Sequence, residues 1–111
     1  MLFRSREPIL AALAALPGAD RLLSPDPGAY RYHGGRAGIL TPYDPLPVIE
    51  EAARRYGIRW LALERSHLVP ALAPVWDGTE RPAWLSGPVV RTPDAALYAV
   101  CTAPDDDRCA A

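Results

Sequence analysis

The chain lacks lysine, and it also lacks a long apolar run and a basic patch. All 12 cationic residues are arginines, and only Arg54 and Arg55 are adjacent in the sequence. The formal net charge is −1. Nucleic acid attracts clustered positive charge, so it is excluded as an expected partner. The longest apolar run without proline or charge, residues 9–16, is far shorter than the ~20 residues of a membrane-spanning helix. No segment of this sequence is therefore expected to cross a bilayer.

Cysteine and histidine are equally scarce, with two of each. Two cysteines make neither a disulfide framework nor a metal cage. His33 has no second ligand at metal-binding spacing, so neither a metal nor a cofactor is expected. We expect Cys101 to be a partly buried thiol at a strand end and Cys109 to be a free thiol in the tail. A disulfide between them would require an oxidising compartment.

The composition is that of an ordinary globular domain. The chain has 111 residues, of which 50% are hydrophobic and 23% are charged, enough for one core but not for two. We expect a single α/β domain over residues 1–102. The aspartate triplet at 105–107 predicts a disordered, solvated acidic tail over residues 103–111.

The clearest predicted element is an amphipathic helix that begins at Asp44-Pro45 and ends at Gly57, where a left-handed residue is favoured. One face of this helix carries four apolar positions at helical spacing: Leu46, Ile49, Ala53 and Tyr56. The following segment, residues 58–63, is apolar except for Arg59. Such near-continuous apolarity predicts a central parallel strand that is covered on both faces.

Shorter patterns complete the predicted fold. They are a helix ending at Pro17-Gly18, strands near 21–24 and 37–40, a glycine turn at 34–35, an irregular helix at 68–76, a loop at 82–86, and strands near 89–91 and 96–101. A helix between strands implies a right-handed crossover, and the short turn at 92–95 implies an antiparallel pair. The predicted class is therefore α/β, with a small mixed, partly parallel sheet, flanking helices and a C-terminal antiparallel hairpin.

Five segments between Glu7 and Val100 carry a resemblance to a known family. They are Pro17-Gly18-Ala19-Asp20 at a helix end, residues 22–27 (LLSPDP), residues 30–36 (YRYHGGR), residues 56–63 (YGIRWLAL) and residues 96–100 (ALYAV). In this order they resemble the C-terminal domain of bacterial polytopic membrane glycosyltransferases of the dolichyl-phosphate-mannose mannosyltransferase type.

The resemblance implies a place on the extracytoplasmic face of the cell membrane. The expected partners are a transmembrane portion, in the same or a partner protein, and a glycan or lipid-linked sugar. The family's catalytic acidic residues lie in membrane-proximal loops with no counterpart in this chain, so no catalytic residue carries over. The resemblance implies a non-catalytic accessory or regulatory domain; a chain without such a membrane portion would instead be cytoplasmic.

A second interpretation is a free-standing small α/β enzyme or ligand-binding protein. Ligands of open α/β sheets collect beyond the carboxyl ends of the strands, where this sequence offers Asp26, Arg65 and His67. If these three converge, they would bind a polar ligand or perform acid–base chemistry, with the histidine titrating near neutrality. The alternative is that Asp26 organises its own loop while Arg65 and His67 are solvated.

A third interpretation is a protein-interaction module. Trp60 is expected in the core, whereas Trp76 and Trp84 lie in proline-rich segments that favour loops. An exposed aromatic patch usually marks an interaction surface. These two tryptophans are therefore the candidate contacts to a glycan, a membrane surface or a transmembrane portion.

Overall fold

The computed structural model of the chain describes residues 2–110, with side chains from Arg6 onward, and confirms the predicted α/β class. The helices and strands follow in the order α1 (Leu2–Ala14), β1 (Arg21–Ser24), α2 (Pro27–Gly34), β2 (Gly38–Leu40), α3 (Leu46–Arg55), β3 (Ile58–Glu64), α4 (Ala73–Asp77), β4 (Leu85–Arg91) and β5 (Ala95–Val100). None of the helices between residues 2 and 110 has the length and apolar character needed to span a bilayer.

The five strands form one mixed sheet in the order β2-β1-β3-β5-β4. β1 is parallel to both β2 and β3. β5 is antiparallel to β3 on one side and to β4 on the other. The predicted parallel connection from β2 through α3 to β3 and the predicted C-terminal hairpin are therefore both confirmed.

The helices cover both faces of the sheet because the crossover from β1 to β2 and the crossover from β2 to β3 run in opposite directions across the sheet. Side chains alternate along β3, so Trp60 and Ala62 pack with α1 and α2, in one core cluster. Leu61 and Leu63 pack on the other face with α3 and α4. β3 is thus the predicted central strand, apolar on both faces because both are covered.

Several local predictions need correction. Residues 65–67 and 70–72 form separate 3₁₀ turns before the short helix α4, because each proline interrupts helical hydrogen bonding. β4 already begins at Leu85, inside the predicted loop. Tyr56 is half-exposed rather than buried, since α3 ends at Arg55. The helix begins at Leu46 with Pro45 before it, and Gly57 has the predicted left-handed φ of 62°.

Arg36, next to the predicted glycine turn, ties α1 to α2. Its buried guanidinium donates hydrogen bonds to the carbonyl oxygens of Leu13, Pro17 and Asp20, at 2.6–2.7 Å. These carbonyls lie at and beyond the end of α1, where helical partners are missing. Gly35 therefore makes the predicted turn, with a φ of 64°, whereas Gly34 is the last residue of α2, and Arg36 caps a neighbouring helix.

The predicted solvated tail folds back on the sheet, and its cysteine is not free. Cys101 and Cys109 form a disulfide, which corrects the expectation of two unpaired thiols. Arg108 donates hydrogen bonds to the carbonyl oxygens of Val100 and Arg59. Asp106, at the centre of the aspartate triplet, has a buried side chain. Three consecutive aspartates suggested a solvated segment. In the structure Arg108, two positions after Asp106, pairs with the carboxylate of Asp106 and allows it to be buried.

We predict that Gly38→Ala destabilises the fold because a Cβ atom at this position in β2 would overlap the backbone carbonyl of Leu22 in β1. The expected loss is about 1–3 kcal/mol, as for other overpacked sites. Gly18→Ala is the matched control, since nothing lies within 4 Å of its Cβ position. Urea unfolding of the three proteins measures both effects. Equal stabilities of the two variants would contradict the close strand approach.

Candidate functional site

The carboxyl ends of β1 and β3 lie side by side, and the segments that follow these two strands leave for opposite faces of the sheet. In doubly wound sheets this switch point opens a crevice between the two following loops, and ligands bind there. In this chain the crevice is bounded by Ser24 and the loop to Asp26 on one side and by Glu64 on the other. It is the natural place to look for a site.

A guanidinium from α1 fills this crevice. Arg6 binds Glu64 with two parallel hydrogen bonds, Nε to Oε2 at 2.6 Å and a terminal nitrogen to Oε1 at 2.9 Å. Both side chains are buried. Fork-to-fork geometry is the strongest arrangement for an arginine and a carboxylate. The pair therefore closes the switch point from within.

Tyr30 of α2 completes the same cluster. Its hydroxyl donates to Glu64 Oε2 at 2.8 Å, and the guanidinium carbon of Arg6 lies 5.6 Å from its ring centre. Burial, followed by the charge of Glu64, raises the pKa of Tyr30 well above its usual range. The hydrogen bond to Glu64 raises the pKa of Arg6 as well. The cluster thus holds a cation, an anion and a protonated phenol.

Asp26 has two roles, one predicted and one not. Its Oδ1 accepts from the Ala29 amide at 3.1 Å and caps α2, while its own amide donates to Ser24 Oγ at 3.3 Å. This is the predicted organisation of its own loop. In addition, Asp26 Oδ2 lies 3.3 Å from Arg6. Asp26 therefore extends the ion-pair cluster towards solvent.

The three candidate ligand-binding residues each contact a different neighbour. Arg65 pairs with Asp94 of the hairpin turn at 3.1 Å, and Ser66 Oγ lies 2.9 Å from His67 Nδ1. His67 also lines a small cavity beside Glu64, of about 10 Å³, which holds roughly one water molecule. Within residues 6–110, no hydrogen bond or ion pair joins Asp26, Arg65 and His67 to one another.

The two candidate interaction residues are buried. Trp76 is 8% exposed and Trp84 is 7% exposed, and both belong to the core cluster under α3 and α4. Arg91 covers Trp76, with its guanidinium carbon 4.0 Å from the ring centre. The nearby prolines suggested exposed loops. In the structure the indole rings of Trp76 and Trp84 pack against one face of the sheet. The most exposed aromatic side chains are instead Tyr32 and Tyr43.

Between residues 6 and 110, no group of three or more histidine, cysteine or carboxylate residues is arranged to hold a metal ion. Comparisons with known protein families, curated proteins and solved structures give no match for this chain. The site must therefore be interpreted from its own geometry.

Sequence reasoning missed Arg6 and Glu64 as partners. The usable signal was Glu64 itself, a carboxylate at the last position of a strand whose other residues are nearly all apolar. A charge at such a position is almost always paired. Nothing in the sequence points to Arg6 as that partner, because 58 positions separate the two residues.

We predict that Glu64→Gln destabilises the fold by about 3 kcal/mol because it leaves the buried Arg6 with only the half-exposed carboxylate of Asp26 as its counter-charge. The triple change Arg6→Met, Glu64→Leu and Tyr30→Phe removes the three buried polar members, leaves only the half-exposed Asp26, and should cost less than the single change. Arg65→Gln, at an exposed ion pair, is the control and should cost at most about 1 kcal/mol. Urea unfolding distinguishes them. A Glu64→Gln variant as stable as the control would show that the cluster contributes nothing to the fold.

We predict a pH effect at Tyr30 with a defined sign. Because its pKa is raised on folding, the unfolded chain loses this proton above about pH 10 while the folded chain retains it, so the hydrogen-bond contribution declines as pH rises. Tyr30→Phe should cost about 1.5–3 kcal/mol at pH 8 and clearly less at pH 11, by urea unfolding. Tyr32→Phe, at an exposed site, should cost little at either pH. A Tyr30→Phe cost that is unchanged at pH 11 would refute the shift.

Proposed function

We propose that this chain is a non-catalytic accessory domain of a membrane-bound glycosyltransferase and lies on the extracytoplasmic face of the membrane. In this role it binds the acceptor or supports the transmembrane portion, which belongs to the same or a partner protein. The resemblance of residues 7–100 to the C-terminal domain of membrane glycosyltransferases motivates the family. The Cys101–Cys109 disulfide is the observation that carries the proposed location.

The disulfide supports this location because such bonds persist in oxidising compartments and are rare in a reducing cytosol. Its surroundings fit a structural bond. Arg108, one position before Cys109, is held by the carbonyl oxygens of Val100 and Arg59, so the loop is anchored by more than the sulfur bond. A cytoplasmic free-standing chain gives no reason for this pairing.

The non-catalytic role is supported by the geometry of the switch point. The place where an α/β enzyme normally holds its substrate is occupied here by Arg6, bound to Glu64 and Asp26. Charges that satisfy one another in this way have little capacity left for a substrate. This argument favours the accessory domain over a free-standing enzyme with its site at the strand carboxyl ends.

Cell fractionation tests the location. We expect an antibody against the chain to detect antigen in the membrane fraction of its native cells, accessible to protease added outside spheroplasts. We also expect Cys101 and Cys109 to resist alkylation until a reductant is added. A cytoplasmic protein serves as the lysis control. Soluble, protease-protected antigen with alkylatable thiols would overturn the proposal.

The glycosyltransferase assignment has a separate test. Membranes from cells without the chain should transfer less sugar from a polyprenyl-phosphate-linked mannose probe than membranes from the parent cells. Expressing the parent chain again should restore sugar transfer. Expressing the Glu64→Gln variant should restore transfer in proportion to the fraction of the variant that is folded. Equal transfer with and without the chain would contradict an accessory role in this reaction.

A further inference from the structure

A cleft of about 360 Å³ opens at the amino end of β3, the end of the strand opposite Glu64. One wall comes from the end of α3 and the start of β3, and the other from the segment after β5. The residues that matter are Arg54, Gly57 and Arg59 on the first wall and Thr102, Pro104 and Asp106 on the second. The volume lies at the small end of the range for metabolite pockets, roughly 300–1,000 Å³.

The second wall is held in place by the disulfide loop, residues 101–109. The Cys101–Cys109 bond closes it. Inside the loop, Arg108 donates to the Val100 carbonyl at 2.8 Å, and its guanidinium carbon lies 4.8 Å from the centre of the Trp60 ring. The wall therefore depends on a covalent closure and on contacts to the central strand.

The charges of this cleft are unevenly paired. The buried Asp106 carboxylate binds Arg108 at 2.6 and 2.9 Å, and this hydrogen bonding lowers the pKa of Asp106. Arg59 reaches Asp106 only at 3.7 Å, beyond hydrogen-bond length. Arg54 is engaged by Glu50 and Glu51. The Asp106 carboxylate is thus hydrogen-bonded to Arg108, and it makes only a long ion pair with Arg59.

Arg59 has unused donors on the cleft wall. Within the part of the chain that the structure describes, its side chain donates no hydrogen bond, and its buried Nε has no partner. The side chain is 42% exposed, so its outer nitrogens remain accessible. A planar guanidinium with free donors is the protein group best suited to a carboxylate or phosphate.

We propose that this cleft binds a small ligand that carries one oxyanion group, a carboxylate or a phosphate, seated on Arg59. Arg54 adds positive charge at the rim. Ile58, Val100 and Pro104 supply an apolar surface for the rest of the ligand. The disulfide loop makes the site, so binding requires the paired cysteines. This inference stands apart from the proposed function and from the switch point.

Amide NMR of the ¹⁵N-labelled chain tests the site with inorganic phosphate and acetate as separate probes. We expect saturable shifts confined to residues 57–59 and 102–106, and the tighter probe identifies the preferred oxyanion. Acetamide, a neutral isostere of acetate, should produce no such shifts. Raising the ionic strength with an inert salt should weaken binding, because Arg59 is partly exposed.

Two variants make the test specific. Arg59→Gln should weaken binding about tenfold, the usual effect of losing one charge-assisted hydrogen bond. Arg31→Gln, at an exposed arginine on α2, should leave the affinity unchanged. Equal affinity of the Arg59→Gln variant and the parent, or acetamide shifts matching those of acetate, would overturn the proposal.

The loop requirement has its own variant. Cys101→Ser with Cys109→Ser should retain the dispersed spectrum of the sheet but lose the saturable shifts, because the second wall is no longer held. Full binding by this double variant would overturn the role given to the loop. The NMR titrations do not depend on where the chain lies in the cell. A negative titration would therefore contradict the oxyanion site without contradicting the proposed function.

Discussion

The buried pair between Arg6 and Glu64 is the constraint on which the arrangement of this domain depends. Removing two such ions from water costs several kcal/mol each, and their attraction offsets this only if the remaining polar atoms are also satisfied. Here the carboxylate accepts two bonds from Arg6 and one from Tyr30. The three groups come from α1, α2 and β3. Their mutual satisfaction therefore fixes both helices on one face of the central strand.

The same pair accounts for the closed switch point. An α/β sheet of this topology leaves a crevice where its crossovers diverge. In this chain α1 precedes β1 and lies over the crevice, so Arg6 enters the position where a ligand carboxylate or phosphate would require a counter-charge. Asp26 then covers the outer side of the guanidinium. The sheet therefore has the topology that places ligands at its strand carboxyl ends, but in this chain that position is filled by the side chain of Arg6.

Most of the sheet could be predicted from the sequence because its signals are local. The nearly apolar segment 58–63 predicts an interior strand, and the amphipathic helix before it, ended by Gly57, predicts a crossover connection. The site could not be predicted in this way. Arg6 and Glu64 are 58 positions apart, and neither belongs to a periodic pattern. A single charge in a sequence carries no information about its partner.

The predictions for the two tryptophans and for the C-terminal tail were wrong for a related reason. Proline at 70 and 74 correctly predicted an irregular helix, but proline does not report whether an irregular segment lies over the core or in solvent. Trp76 and Trp84 are buried because they complete the cover of a sheet face that α3 shares with the short helix α4. Likewise, the aspartate triplet resembles a solvated tail until Arg108 and the disulfide bring Asp106 inside.

The contrast between Arg6 and Arg59 determines where a ligand is expected. Both arginines lie at ends of the central strand, and both face a carboxylate. Arg6 holds its carboxylate at hydrogen-bond length and is buried, so it has already exchanged water for protein partners. Arg59 faces a carboxylate that another arginine has taken, and its donors remain available. A ligand anion gains more from the second guanidinium than from the first, so binding is favoured at the amino end of β3, away from the edge that its topology would suggest.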